Sequence, residues 1–119
     1  MELTTLEYQM VIDIYCADME PGMCFEFEDY NLTEVDPKEK NQEFSFHLAK
    51  LKRLGLIKYE ESEALLKGGN YSTKYDNNVA MICEGRIHID SKGIRLVDRL
   101  EIQRKNYNTI EIWWQKNKH

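Results

Sequence analysis

The chain has no apolar run approaching the roughly 20 residues that a membrane-spanning helix needs. Its first residues, Met1-Glu2-Leu3-Thr4-Thr5, have neither the basic start nor the apolar stretch of a signal peptide. Its three cysteines, Cys16, Cys24 and Cys83, are odd in number and widely spaced, which argues against a disulfide framework. We expect three reduced thiols in a cytoplasmic protein. The glycosylation sequons at Asn31 and Asn70 are then accidents of composition. No pair of Cys16, Cys24, Cys83, His47 and His88 has metal-site spacing such as C-x-x-C or H-x-x-x-H, so no metal site is expected. No cysteine or histidine sits in a motif that activates a nucleophile. The carboxylates are dispersed, with no pair singled out for acid–base work. Gly68-Gly69 is not followed by the Gly-Lys-Ser/Thr of a phosphate-binding loop. The expectation is a protein without catalysis, cofactor or small-molecule substrate.

What is present suits one soluble domain spanning residues 1–119. Its 119 residues are 42% hydrophobic and 31% charged. A chain this long buries about two-thirds of its extended surface, enough for one core without staples. The net charge of −5 hides an asymmetry. Residues 1–49 carry 12 acidic and 2 basic side chains, whereas residues 50–119 carry 9 acidic and 14 basic ones. A local potential, not the mean, attracts a polyanion, so any nucleic-acid contact belongs in the second half.

Several elements announce themselves. Thr4-x-x-Glu7 is a capping box, and Leu6, Met10, Val11, Ile14 and Tyr15 follow at helical spacing, which predicts a helix over about residues 5–18. Glu20-Pro21-Gly22 ends it. Met23-Cys24-Phe25-Glu26-Phe27-Glu28 reads as a short strand. Asp36-Pro37 opens a second helix, with the aspartate as N-cap and proline at the first helical position. Phe44, Leu48 and Leu51, joined by His47, form its inner stripe, and Gly55 stops it. Leu56-Ile57-Lys58-Tyr59 alternates as a strand. Residues 60–79 are the least regular part: one helical turn at Ala64-Leu65-Leu66, then turns at Gly68-Gly69-Asn70 and Asp76-Asn77-Asn78. Residues 80–89 return as one or two strands with a turn or bulge at Glu84-Gly85. A further helix starts near Asp90-Ser91. It either continues in a heptad-like seam to Trp114 or breaks near 106–108, where Asn108-x-x-Glu111 offers a second cap.

Two stretches resemble parts of a known fold. Phe46-His47-Leu48-Ala49-Lys50-Leu51-Lys52-Arg53-Leu54-Gly55-Leu56-Ile57 resembles the end of a winged-helix third helix running into the wing. Ile87-His88-Ile89-Asp90-Ser91-Lys92-Gly93-Ile94-Arg95-Leu96-Val97-Asp98 resembles the step that closes the wing and opens the last helix, with Asp90-Ser91 where Leu-Thr is usual. In this order they are similar to small winged-helix families of Gram-positive bacteria and their phages, including the YjcQ-like family. The resemblance covers about residues 4–104 and leaves 105–119 as a helical tail. It implies an α+β winged helix, to which the residues here add a short N-terminal strand, a long wing and an additional C-terminal helix. It implies a DNA-binding fold and no cofactor. Two departures matter. Residues 23–35 do not read as the second helix that normally braces the third across the phosphate backbone, and the wing is long.

The expected DNA surface is the face of the second helix opposite Phe44 and Leu48. There Gln42 and Ser45 can meet base edges, and Lys50, Lys52 and Arg53 can meet bases or phosphates. Lys67 and Lys74 flank a glycine-rich wing tip that can enter a minor groove. Phe46 lies on the same outward face and calls for a cover: the long wing, a second subunit, or thymine methyls. In the tail, Tyr107, Ile110, Trp113 and Trp114 either pack on the first helix or build a symmetric homodimer suited to a palindromic operator. Two functions stay open: a bacterial or phage transcription regulator on double-stranded DNA, and a winged-helix module for protein contact or dimerisation.

Overall fold

The computed structural model describes residues 2–20, 30 and 32–107, with backbone alone for 101–107. The expected strand at 23–28 therefore lies outside the described residues, as do Cys24 and everything from residue 108 onward. Helix α1 runs Thr5–Met19 and begins with both halves of the capping box. The Glu7 N–H donates to Thr4 Oγ1 at 3.1 Å, and the Thr4 N–H donates to Glu7 Oε1 at 2.9 Å. Met10, Val11 and Ile14 are fully buried along its inner face.

Helix α2 runs Pro37–Arg53. Asp36 Oδ1 accepts from the Lys38 N–H at 2.9 Å, so the cap and the proline at the first position act as the sequence predicts. Phe44, Leu48 and Leu51 are its fully buried stripe. Its end is a double hydrogen bond: Gly55 N–H to Lys52 O at 3.0 Å, and Leu56 N–H to Leu51 O at 3.1 Å. That closure needs a left-handed residue, and Gly55 supplies it with φ +76°.

The chain then leaves as strand β1, Ile57–Lys58, and pairs antiparallel with β4, His88–Ile89, which precedes the last helix. Ile57 faces Ile89 and Lys58 faces His88, so the two motif stretches meet. Helix α4 spans Ser91–Tyr107 without a break and packs on β1 and α1. Its seat depends on Gly93, where a β-carbon would lie 2.2 Å from the Leu56 carbonyl oxygen.

Between β1 and β4 the structure is more regular than the sequence predicts. A one-turn helix α3 at Glu61–Ala64 leads into strands β2, Leu65–Ser72, and β3, Asn77–Ile82, followed by a 3-10 turn over Glu84–Arg86. Gly68-Gly69-Asn70 is thus within a strand, not a turn, and the hairpin turns at residues 73–76, with Asp76 at φ +56°. The β2–β3 pairing is irregular. Ala80 is an extra residue between the Leu66–Met81 and Lys67–Val79 pairs, and residues 68–71 bulge opposite Asn78. The described residues share one hydrophobic cluster that takes in α1, α2, α4 and the inner side of both sheets. The described fold is α+β, with four helices and two small antiparallel sheets. Among the described residues no helix is long and apolar enough to cross a membrane.

Candidate nucleic-acid interface

The face of α2 expected to read bases is covered. The β2–β3 hairpin lies across the first half of the helix, and its irregular register decides how it is held. A bulge releases backbone carbonyls from the ladder and leaves them to accept from other donors. Asn41 Nδ2 donates to Ala80 O at 2.8 Å, and Gln42 Nε2 donates to Asn70 O at 2.9 Å. In return Asn77 Nδ2 donates to Gln42 O at 3.0 Å. Gln42 and Ser45 are both buried. Their assignment to base edges is therefore corrected: in this fold neither presents a polar atom to a groove. For Gln42 the physical reason is a second packing layer, the hairpin, that α2's own periodicity does not reveal.

Lys50 is also engaged. Its Nζ lies 2.7 Å from Glu7 Oε1, while His47 Nδ1 lies 2.7 Å from Glu7 Oε2. Glu7 is only 1% exposed, so one carboxylate caps α1 and ties it to α2. Burial pushes the Glu7 carboxyl up, but hydrogen bonds from Lys50, the Thr4 N–H and His47 outweigh it and hold it below its usual 4.5. Glu43 behaves alike. Burial raises it, yet the Thr33 hydroxyl and the N–H groups of Glu34 and Thr33 keep it low, which pins the loop ahead of α2.

The hairpin lysines have acidic partners as well. Lys67 lies 3.7 Å from Glu61. Lys74 lies 3.0 Å from Glu34, which also accepts from the Tyr75 hydroxyl at 2.8 Å. The Lys74 ammonium, with hydrogen bonds from Glu39 and Tyr75, draws the Glu34 carboxyl down to about 2, and the same contact with Glu34 raises Glu39. Lys67 sits inside β2, and Lys74 sits at the turn without flanking glycines, so the glycine-rich tip is corrected too. Tyr107 lies at the end of α4, where the backbone alone is described; Ile110, Trp113 and Trp114 lie outside the described residues.

Lys52 and Arg53 remain exposed and make no ion pair among the described residues. Lys52 Nζ stands 4.6 Å from the centre of the Tyr59 ring. That phenol is pushed up to about 12 by burial and by Glu61, against the opposing pull of Arg53. Four cations that the sequence reading missed extend the same region. Lys58 is exposed on β1 as it leaves the turn. The Lys92 side chain crosses that turn, its Cδ 3.1 Å from the position of a β-carbon on Gly55. Arg95 and Arg99 follow Lys92 at helical spacing on one exposed flank of α4. None of these four makes an ion pair among the described residues. The spacing of Lys92, Arg95 and Arg99 was visible in the sequence; its meeting with the end of α2 was not.

Phe46 keeps 43% of its surface exposed. Its ring meets His47 at 5.6 Å and 78° and Tyr75 at 6.2 Å and 60°. The long hairpin is therefore the cover that the outward aromatic calls for, and the cover is partial. No group of three or more His, Cys, Asp or Glu side chains among the described residues is placed to hold a metal. Compared with profiles of known families, with curated proteins and with solved structures, the chain matches none.

Proposed function

We propose that this chain is a small nucleic-acid-binding domain of winged-helix type that grips phosphate with the end of α2, strand β1 and one flank of α4. The observation that carries this reading is the distribution of paired and unpaired cations. Lys50, Lys67 and Lys74 face carboxylates of their own chain, while Lys52, Arg53, Lys58, Lys92, Arg95 and Arg99, exposed and without an ion pair among the described residues, make up the proposed basic stripe. Such a stripe releases counterions from a polyanion without needing base contacts. The paired β1 and β4, the hairpin between them and the last helix beside the first are compatible with a winged helix. The resemblance to families of Gram-positive bacteria and their phages adds a regulator's role to the reading. With Gln42 and Ser45 covered, binding to duplex DNA depends little on sequence.

Filter binding at low salt to mixed-sequence duplex tests this. Wild-type protein binds at micromolar concentration, and Lys52→Glu combined with Lys92→Glu weakens binding by roughly tenfold or more. Lys67→Glu and Lys74→Glu leave it nearly unchanged. No binding by the wild type, or equal losses in both variants, removes the reading.

A second reading, contact with another protein, is favoured by the outer side of the hairpin. There Leu66 and Met81 are direct cross-strand partners, and both are exposed, as is Tyr71. Light scattering on the wild type and on Met81→Ser distinguishes it: a mass above the monomer that falls in the variant supports the second reading.

A further inference from the structure

We infer that Phe46 is a stacking platform for an unpaired base, so that the basic stripe takes nucleic acid with exposed bases in preference to a closed duplex. This rests on the phosphate-binding reading of the stripe. Phe46 precedes Arg53 by seven residues, which places both on one side of α2 about two turns, or roughly 10 Å, apart. That side is turned away from Phe44, Leu48 and Leu51. An apolar ring left 43% exposed on the side of α2 that also carries Arg53, which makes no ion pair among the described residues, is the combination that single-strand binders use: charge follows the backbone and an aromatic face receives a base. His47 and Tyr75 meet the ring at steep angles, so among the described residues no ring lies parallel upon it.

The charges around the ring set the ligand's path. Glu7, beneath His47 and Lys50, is buried and bonded by both, so it offers little repulsion. Toward the start of α2 the path meets exposed Glu39 and its neighbour Glu34. A strand entering along α4 and past Arg53 thus reaches Phe46 and ends there. In a closed duplex the base faces lie within the stack and the ring has nothing to receive.

The test compares a mixed-sequence DNA single strand, the same sequence as duplex, and inorganic polyphosphate, which has charge without bases. Phe46→Leu keeps apolar bulk over Tyr75 and removes the aromatic face; Phe46→Tyr restores it. At one low salt concentration the wild type favours the single strand over the duplex. Phe46→Leu loses roughly fivefold to a hundredfold on the strand and nothing on polyphosphate, and Phe46→Tyr recovers the loss. An equal loss on both polyanions, or none on either, overturns the stacking role while leaving the basic stripe intact. If the wild type binds neither polyanion, the stripe itself is misread and this inference falls with it.

Discussion

Glu7 is one residue with three structural tasks. It accepts from the Thr4 N–H as the second half of the capping box, and it takes His47 and Lys50 from α2. A buried carboxylate is tolerable only when its oxygens are so occupied. Its carboxyl sits below 4.5 when folded and returns to about that value when the chain unfolds. A depressed folded value means that its contribution is complete above pH 4.5 and is lost as the pH falls through the folded value. Glu43 carries the same sign. Glu7→Gln is expected to cost about 1–3 kcal/mol at neutral pH, because Lys50 and His47 lose their charged acceptor. It also shortens the acid limb of stability without abolishing it, since Glu43 remains. Urea melts at neutral pH and below pH 4 measure both effects; parallel curves for the two proteins would show that the carboxylate holds nothing.

At the scale of elements, burial on the flank of α2 changes what Ser45 does. The Ser45 hydroxyl is buried and has no hydrogen-bond partner among the described residues. An unsatisfied buried hydroxyl costs roughly 1–3 kcal/mol. Ser45→Ala is therefore expected to leave stability unchanged or raise it, and to leave nucleic-acid affinity untouched. Thermal melts with binding isotherms check this, and a loss of affinity at equal stability would return Ser45 to the interface. The contrast with the sequence is instructive. The capping box at Thr4, the Asp36-Pro37 start, the Gly55 stop and the inner stripe of Phe44, Leu48 and Leu51 were legible because each is set by residues within a few turns. Strand β2 was not. Leu65 and Ala64 are buried, but the rest of Leu65–Ser72 lies outside the core, with Leu66 and Tyr71 exposed and the remaining residues polar or glycine. It is a strand because β3 pairs with it and the Gln42 amide holds its Asn70 carbonyl, 28 residues away. The same distance hid the fate of Gln42. A helix's periodicity reports its face toward the first core and is silent about a second layer. Lys92, Arg95 and Arg99 repeat at helical spacing, but nothing local says that they continue the end of α2.

Across the whole molecule, charge is sorted by partnership more than by sequence half. The basic second half is not uniformly available, because Lys50, Lys67 and Lys74 are matched by Glu7, Glu61 and Glu34, and Arg86 lies 3.4 Å from Glu63. Within residues 50–100, removing those matched cations leaves Lys52, Arg53, Lys58, Lys92, Arg95 and Arg99 as the proposed footprint. Each phosphate neutralised on a single strand contributes about −0.7 to the slope of log affinity against log salt, and about −0.9 on duplex. Six such contacts give a slope of about −4 on a single strand. A protein using every lysine and arginine of the second half would be far steeper. Arg95→Glu with Arg99→Glu should flatten the measured slope by about 1.4, two contacts' worth, while Lys67→Glu with Lys74→Glu leaves it unchanged. Titrations at four or five salt concentrations separate the two cases. A slope that the hairpin variants flatten as much as the α4 variants would mean that the ion pairs open on binding, and the interface would then have to be drawn across both the hairpin and the last helix.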